Sequence, residues 1–171
     1  MPTFGVDEVE EAFRHLWRTG PVGEDWNAQA DLYTPDCSYV DCHYGVMGRE
    51  EFRAWCTTLM TEQFPELYTV YQWHVVDGDE VVAMMQNRRD NPDPAGPPYL
   101  DFSGVSIFRY AGDGRWSGER DYWSMEQAVQ AGRRYREACA RHDPGHPARR
   151  SRLYWPAGPA WARPNDEEDR R

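Results

Sequence analysis

Lysine is absent: all 19 basic residues of the chain are arginine. That removes a Schiff-base amine, a lysine general base and a glycine-rich phosphate loop ending in Lys-Ser/Thr. Cysteine is scarce, and Cys37, Cys42, Cys56 and Cys139 form no CxxC pair, so reduced thiols are expected in place of a disulfide framework. Positive charge is in deficit. Against the arginines stand 29 acidic residues, for a formal net charge of −10 and a pI near 4.9. Such a field repels phosphate backbones and anionic membrane surfaces, so neither nucleic acid nor membrane is an expected partner. No apolar run reaches the length of about 18 residues that a membrane span needs. Met1–Glu11 has no basic or apolar region of a leader, so a cytoplasmic location is expected.

What is present suffices for a core. The chain has 171 residues, 40% hydrophobic and 14% aromatic, which fits one globular domain with chain to spare. Acid–base chemistry is left to carboxylates, five His, ten Tyr or Cys. Charge is unevenly divided, with nine Arg and 23 acids in residues 1–130 but ten Arg and six acids in 131–171. We therefore expect a domain over 1–130, followed by a C-terminal helix and a Pro/Trp/Arg-rich arm over 131–171. From Pro144 onward the prolines, including Pro147, Pro156, Pro159 and Pro164, exclude a regular helix or central strand. Trp155 and Trp161 offer the arm anchors, and Asp166–Arg171 ends it in charge. It is expected to wrap the body, dock on a partner subunit or remain disordered.

Helical periodicity dominates the first third. Val9, Phe13, Leu16 and Trp17 share one face, as do Phe52, Trp55, Cys56, Leu59, Met60 and Phe64, predicting helices near 6–19 and 49–63. A short helix is predicted at Trp26–Tyr33, a short strand at Cys37–Tyr44, and a last helix at about Met125–Arg141. Between them, 67–77, 79–90, 99–110 and 115–124 read as strands, with turns at Asp77-Gly78-Asp79 and Gly112-Asp113-Gly114. The class is α+β: a cone-shaped barrel with helices packed on a curved, mostly antiparallel sheet, its open end a pocket.

Three stretches carry a resemblance: Leu32-Tyr33-Thr34-Pro35-Asp36-Cys37-Ser38-Tyr39-Val40-Asp41, Gly48-Arg49-Glu50-Glu51-Phe52, and Gly114-Arg115-Trp116 leading to Arg120-Asp121-Tyr122-Trp123. With the element order they resemble the SnoaL-like branch of the nuclear transport factor 2 superfamily, over about residues 6–128. That branch includes polyketide cyclases, ketosteroid isomerase, scytalone dehydratase and limonene-epoxide hydrolase. The resemblance implies cofactor-independent chemistry on a hydrophobic small molecule, and a homodimer formed through the sheet.

Arg88 and Asp90 are two apart on a predicted strand and so share a face. By resemblance to limonene-epoxide hydrolase, Asp121 would activate water, Arg88 would hold the carboxylates together, Asp90 would protonate the departing oxygen and Tyr39 would assist. Asp41 stands where that family has Asn. By resemblance to ketosteroid isomerase, Asp41 would be the base, Ser106 would occupy the acid's position, and Trp17 would be among the nearest polar-tipped candidates on the first helix. Cyclases and dehydratases of this type imply Asp121 with His74. Met84 and Trp123 are further candidates for the pocket lining.

Each residue also has a structural reading: a strand-end ion pair for Arg88 and Asp90, core for Tyr39, a turn residue for Asp41, and a hydrogen-bonded core histidine for His74. A one-residue register slip would exchange Arg88 for Arg89 and take Asp90 out of the pocket. Cys139, His142 and His146 have ligand-like spacing without a fourth ligand, so no metal is expected. A non-catalytic ligand-binding or dimeric interaction domain is the alternative to an enzyme.

Overall fold

The computed structural model describes residues 4–146 and 152–164. Pro147 and the run Asp166–Arg171 of the expected arm lie outside these residues, as do Met1–Thr3. Helix α1 (Val6–Trp17) buries Val9, Ala12, Phe13, Leu16 and Trp17 on one face, with Asp7 and Glu8 in its first turn and Arg14 and His15 in its last. Those charges complement the helix dipole at both ends. The chain then widens into a π-helical turn, Arg18–Val22, which contains Pro21; proline brings no N–H, so the α-helical ladder cannot run on unchanged. Asp25 caps α2 (Trp26–Asp31) by accepting from Ala28 N at 2.9 Å.

Strand β1 (Tyr33–Asp41) turns into β2 (Gly45–Met47), and α3 (Arg49–Cys56) continues as a π-helical stretch, Thr57–Gln63. The four long strands follow: β3 (Tyr68–Asp77), β4 (Glu80–Asp90), β5 (Tyr99–Gly112) and β6 (Arg115–Trp123). Asp113 and Gly114 both take left-handed φ, 52° and 69°, the backbone that joins β5 to β6 with the twist of a tight hairpin. Helix α4 (Met125–His142) is capped by Ser124.

The sheet order is β2-β1-β6-β5-β4-β3. β3 to β6 form the expected antiparallel meander, whereas β1 joins β6 in parallel. Helices α1 to α3 cover one side, and the main core of Phe13, Leu16, Trp17, Tyr33, Phe52, Phe108 and Trp116 lies between them and the sheet. α4 crosses the same side at the far end of β5, where Tyr135 and Cys139 meet Leu100.

Two features decide which side chains reach that inner side. Along β4, Val81, Ala83, Met85, Asn87 and Arg89 point inward, and Val82, Met84, Gln86, Arg88 and Asp90 outward. Along β3, a bulge between Tyr71 and Trp73 shifts the register against β4. The extra residue changes the parity, so His74 faces α1 while Trp73 faces out.

The described part of the arm lies on its own chain's body. Trp155 packs against Tyr68 on the outer face, ring centroids 5.5 Å apart. Trp161 packs against Phe13, Tyr71 and His74 on the helix side. The arm therefore passes around the edge strand β3.

Candidate active site

The inner side of the sheet and the helices over it enclose a cavity of about 300 Å³, walled mainly by apolar side chains such as Trp17, Trp26, Phe52, Trp55, Met60 and Phe102. The size and lining are those of small-molecule sites. Its most polar wall is built by β6 and the strands beside it. Glu119 and Asp121 are two apart on β6 and both line the cavity. Parallel pairing with β1 sets Tyr39 opposite Glu119 and Asp41 opposite Asp121, and pairing with β5 sets Ser106 opposite Asp121.

The carboxyl groups are held by hydroxyls. Tyr39 donates to Asp121 Oδ2, Ser106 donates to Asp121 Oδ1, and Tyr33 donates to Glu119 Oε2. Glu119 and Asp121 share one face of β6, and each acts on the other's ionisation. Burial pushes the Glu119 carboxyl well above the ordinary range, and the Asp121 charge adds to it. Burial also raises Asp121, opposed by its hydrogen bonds from Ser106 and Tyr39. Tyr33 and Tyr39 are raised well above ordinary phenols by burial, then by these carboxylates, and remain donors. Of the two carboxyls, Glu119 is the one that burial and the neighbouring charge favour most strongly in its neutral form.

Asp41 is fully engaged. It accepts from His43 N and Tyr44 N through Oδ1, at 2.7 and 3.0 Å, and from Trp123 Nε1 through Oδ2 at 2.9 Å. It lines the cavity yet stabilises the β1–β2 turn and fixes the Trp123 ring. Ser106, Trp17 and Trp123 also line the cavity.

The expected meeting of Arg88, Asp90 and Asp121 does not occur. Arg88 and Asp90 share a face, as their spacing requires, but it is the outer one. Arg88 pairs with Asp101 at 2.9 Å, lies 3.6 Å over the Tyr99 ring and donates to the Tyr154 carbonyl at 2.6 Å. Asp90 accepts from Tyr68 OH at 2.7 Å and from Leu153 N. Both fasten the arm. Met84 is also on the outer face. His74 is outside the cavity: its Nε2 meets Glu10 at 2.5 Å, its Nδ1 meets Tyr71 OH at 2.9 Å, and its ring packs on Phe13. The parity of β4 excludes the first three residues from the cavity, and the bulge in β3 points His74 toward α1.

Three charged cavity residues, Glu119, Arg89 and Arg136, stand outside the expected site residues. Glu119 stands in the same i, i+2 relation to Asp121 as Arg88 does to Asp90, so its signal is in the sequence. Arg89 took the inward position that a slip of one residue would assign. Its Nε donates to Glu66 at 2.9 Å, while its Nη1 is buried with no hydrogen-bond partner among the described residues. Among the described residues no group of three His, Cys, Asp or Glu is placed to hold a metal ion. No described helix is long and apolar enough to cross a membrane.

A six-stranded curved sheet with helices on its inner side and an apolar cavity between them defines the cone fold of the nuclear transport factor 2 type. Residues 9–119 match the SnoaL-like domain model, and the chain belongs to that family. Solved structures agree on the fold. A SnoaL-like protein from Jannaschia sp. CCS1 is 22% identical, with 73% of this chain and 91% of that one covered at a TM-score of 0.58. IdmH from Streptomyces antibioticus, classed with polyketide cyclases, is 15% identical over 72% of this chain and 97% of its own, TM-score 0.60. An LEH-like epoxide hydrolase from M. tuberculosis is 18% identical over 78% and 96%, TM-score 0.58. No protein of curated function matches the sequence.

Proposed function

We propose that the protein is a cofactor-independent acid–base enzyme acting on a hydrophobic small molecule, with Asp121 as the group that moves the proton. The observation that carries this is the Glu119–Asp121 pair on the wall of an apolar cavity. A carboxylate there is poorly solvated, and its raised pKa brings it closer to the range in which a base exchanges protons efficiently at neutral pH. Tyr39 and Ser106 hold its plane. Glu119, protonated, shares the charge that appears on Asp121 and disappears from it as the proton moves. Each oxygen of Asp121 accepts one hydroxyl, and a carboxylate has about four acceptor sites, so room remains for a substrate proton.

Of the chemistries met in proteins of this fold, isomerisation or cyclisation through an enol fits better than opening of an epoxide between two arginine-bridged acids. Arg88 and Asp90 stand on the wrong face for the latter. Ligand binding without turnover is the second reading, favoured by one feature: both Asp121 oxygens are already engaged. A second copy of the chain is the proposed partner, and a cytoplasmic location is part of the same reading.

The test is solvent-deuterium exchange at the α-carbon of polycyclic ketones, followed by NMR. The wild-type protein should accelerate exchange for at least one of them. Asp121→Asn should lose about 10²- to 10⁴-fold of that rate while keeping its melting temperature and ligand affinity. Ligands that raise the melting temperature with no exchange and no turnover of an epoxide panel would transfer the case to the binding reading.

A further inference from the structure

The cavity has a second polar end, far from the carboxyl pair. Arg89 lines it from β4 and is 5% exposed. Glu66 takes only its Nε, and Nη1 is left buried without an acceptor among the described residues. The guanidinium lies between the rings of Phe64 and Tyr135, 5.7 and 5.6 Å from their centroids. The Tyr135 hydroxyl is buried beside Cys139, and burial pushes it up as a phenol, so it stays a neutral donor. A guanidinium donor this deeply buried and lacking an acceptor is a costly arrangement. Helix α4 adds Arg136, which lines the cavity, is exposed, and makes no ion pair among the described residues. It lies over Gly132, where a Cβ would come within 3.3 Å of Arg136 Nη1. The missing side chain lets the guanidinium lie along the helix.

Charge separates the two ends. Glu119, Asp121 and Asp41 line one; Arg89 and Arg136, with Glu66 offsetting one of them, line the other. An anion is repelled from the first and attracted to the second. The registers Arg89–Leu100 and Ser106–Asp121 separate the ends by the run of β5 from Leu100 to Ser106, about 20 Å at about 3.4 Å per residue.

The geometry points to a substrate that is an amphipathic carboxylic acid: an elongated hydrophobic skeleton whose carboxylate is held by Arg89 and Arg136 while its reacting atoms lie at Asp121. This rests on the proposed acid–base site for which end reacts, but not for which end binds the carboxylate. Arg89 supplies a fixed, desolvated donor, the type of group that pairs strongly with carboxylate oxygens. Arg136 closes over the ligand from the mouth.

The test compares the affinity of pyrenebutyrate and its methyl ester, a fused-ring acid and its neutral isostere, by fluorescence titration at about pH 7. Wild-type protein should bind the acid at least tenfold tighter. Arg136→Gln, an exposed position that leaves the fold intact, should cut that preference at least threefold, and Arg89→Gln should remove most of it. Asp121→Asn should keep it. Equal affinity for acid and ester, no binding of either, or a preference that survives Arg136→Gln would overturn the inference. The outcome is separable from the catalytic reading: an arginine-dependent preference without Asp121-dependent exchange keeps the anchor and discards the catalyst, and the converse pair of results does the reverse.

Discussion

At the scale of the residue, Glu119 makes the sharpest claim. Folding moves its carboxyl upward from the ordinary range, chiefly by burial and then by the charge of Asp121, so the folded chain binds that proton more tightly than the unfolded one. The stability this supplies is complete below the unfolded carboxyl value and is lost as pH rises through the folded one. Glu119→Gln keeps the neutral shape and removes the titration. Between about pH 5, just above the unfolded value, and pH 9, the wild-type melting temperature should fall more steeply than that of Glu119→Gln. The gap should reach at least about 1 kcal/mol, one pKa unit being worth about 1.4 kcal/mol; parallel profiles would show that Glu119 is not a proton holder. Asp121, Tyr39, Asp41 and Ser106 are legible by resemblance to the family, Trp17 as a polar-tipped candidate on the first helix and Trp123 as a lining candidate, and all six line the cavity. Glu119 was legible by the i, i+2 rule but stood outside the motif. No sequence pattern shows that Asp41 is spent on two backbone amides and an indole.

At the scale of the element, the strands and helices were legible because their periodicities are clean, and the facing of β4 was not. Both faces of β4 carry polar residues near its end: Asn87 and Arg89 on one, Gln86, Arg88 and Asp90 on the other. Hydrophobic alternation therefore gives no vote on which is inward. The arm makes the outer set necessary. Without Trp155 and residues 152–154 beside them, Arg88 and Asp90 would be a strand-end pair of little consequence; with them, they accept and donate to arm backbone. Asp90→Ala strips the buried Tyr68 hydroxyl of its acceptor and loosens Leu153. The expected cost is about 1–3 kcal/mol, read as a lower melting temperature, together with faster tryptic cleavage at Arg152. Turnover should stay within about twofold, because Asp90 faces away from the cavity. A loss of a hundredfold or more, with the arm still protected, would return Asp90 to the catalytic machinery.

At the scale of the whole molecule, the arm covers only part of the outer sheet face. Its contacts gather at the Tyr68, Arg88 and Tyr99 end. Beyond it, Trp73, Val75 and Tyr122 remain 50%, 55% and 50% exposed, and the registers put Val82, Met84, Val105 and Ile107 on the same face between them. A contiguous apolar surface of this kind is unusual for a monomer, and a two-fold axis would let it cover the same patch of a second copy. Its side chains run from the edge strand β3 across β4 and β5 to β6 on the outer face, so pairing two copies would leave both cavities open on their inner sides. Sedimentation should therefore give twice the 20.0 kDa chain mass at micromolar concentration. Trp73→Arg places a charge at the patch without touching the cavity, and should yield a monomer that still binds ligand. A wild-type chain that sediments as a monomer would leave the exposed face without a second copy to cover it. A Trp73→Arg dimer would move the interface elsewhere, away from the half of the sheet that the arm leaves bare.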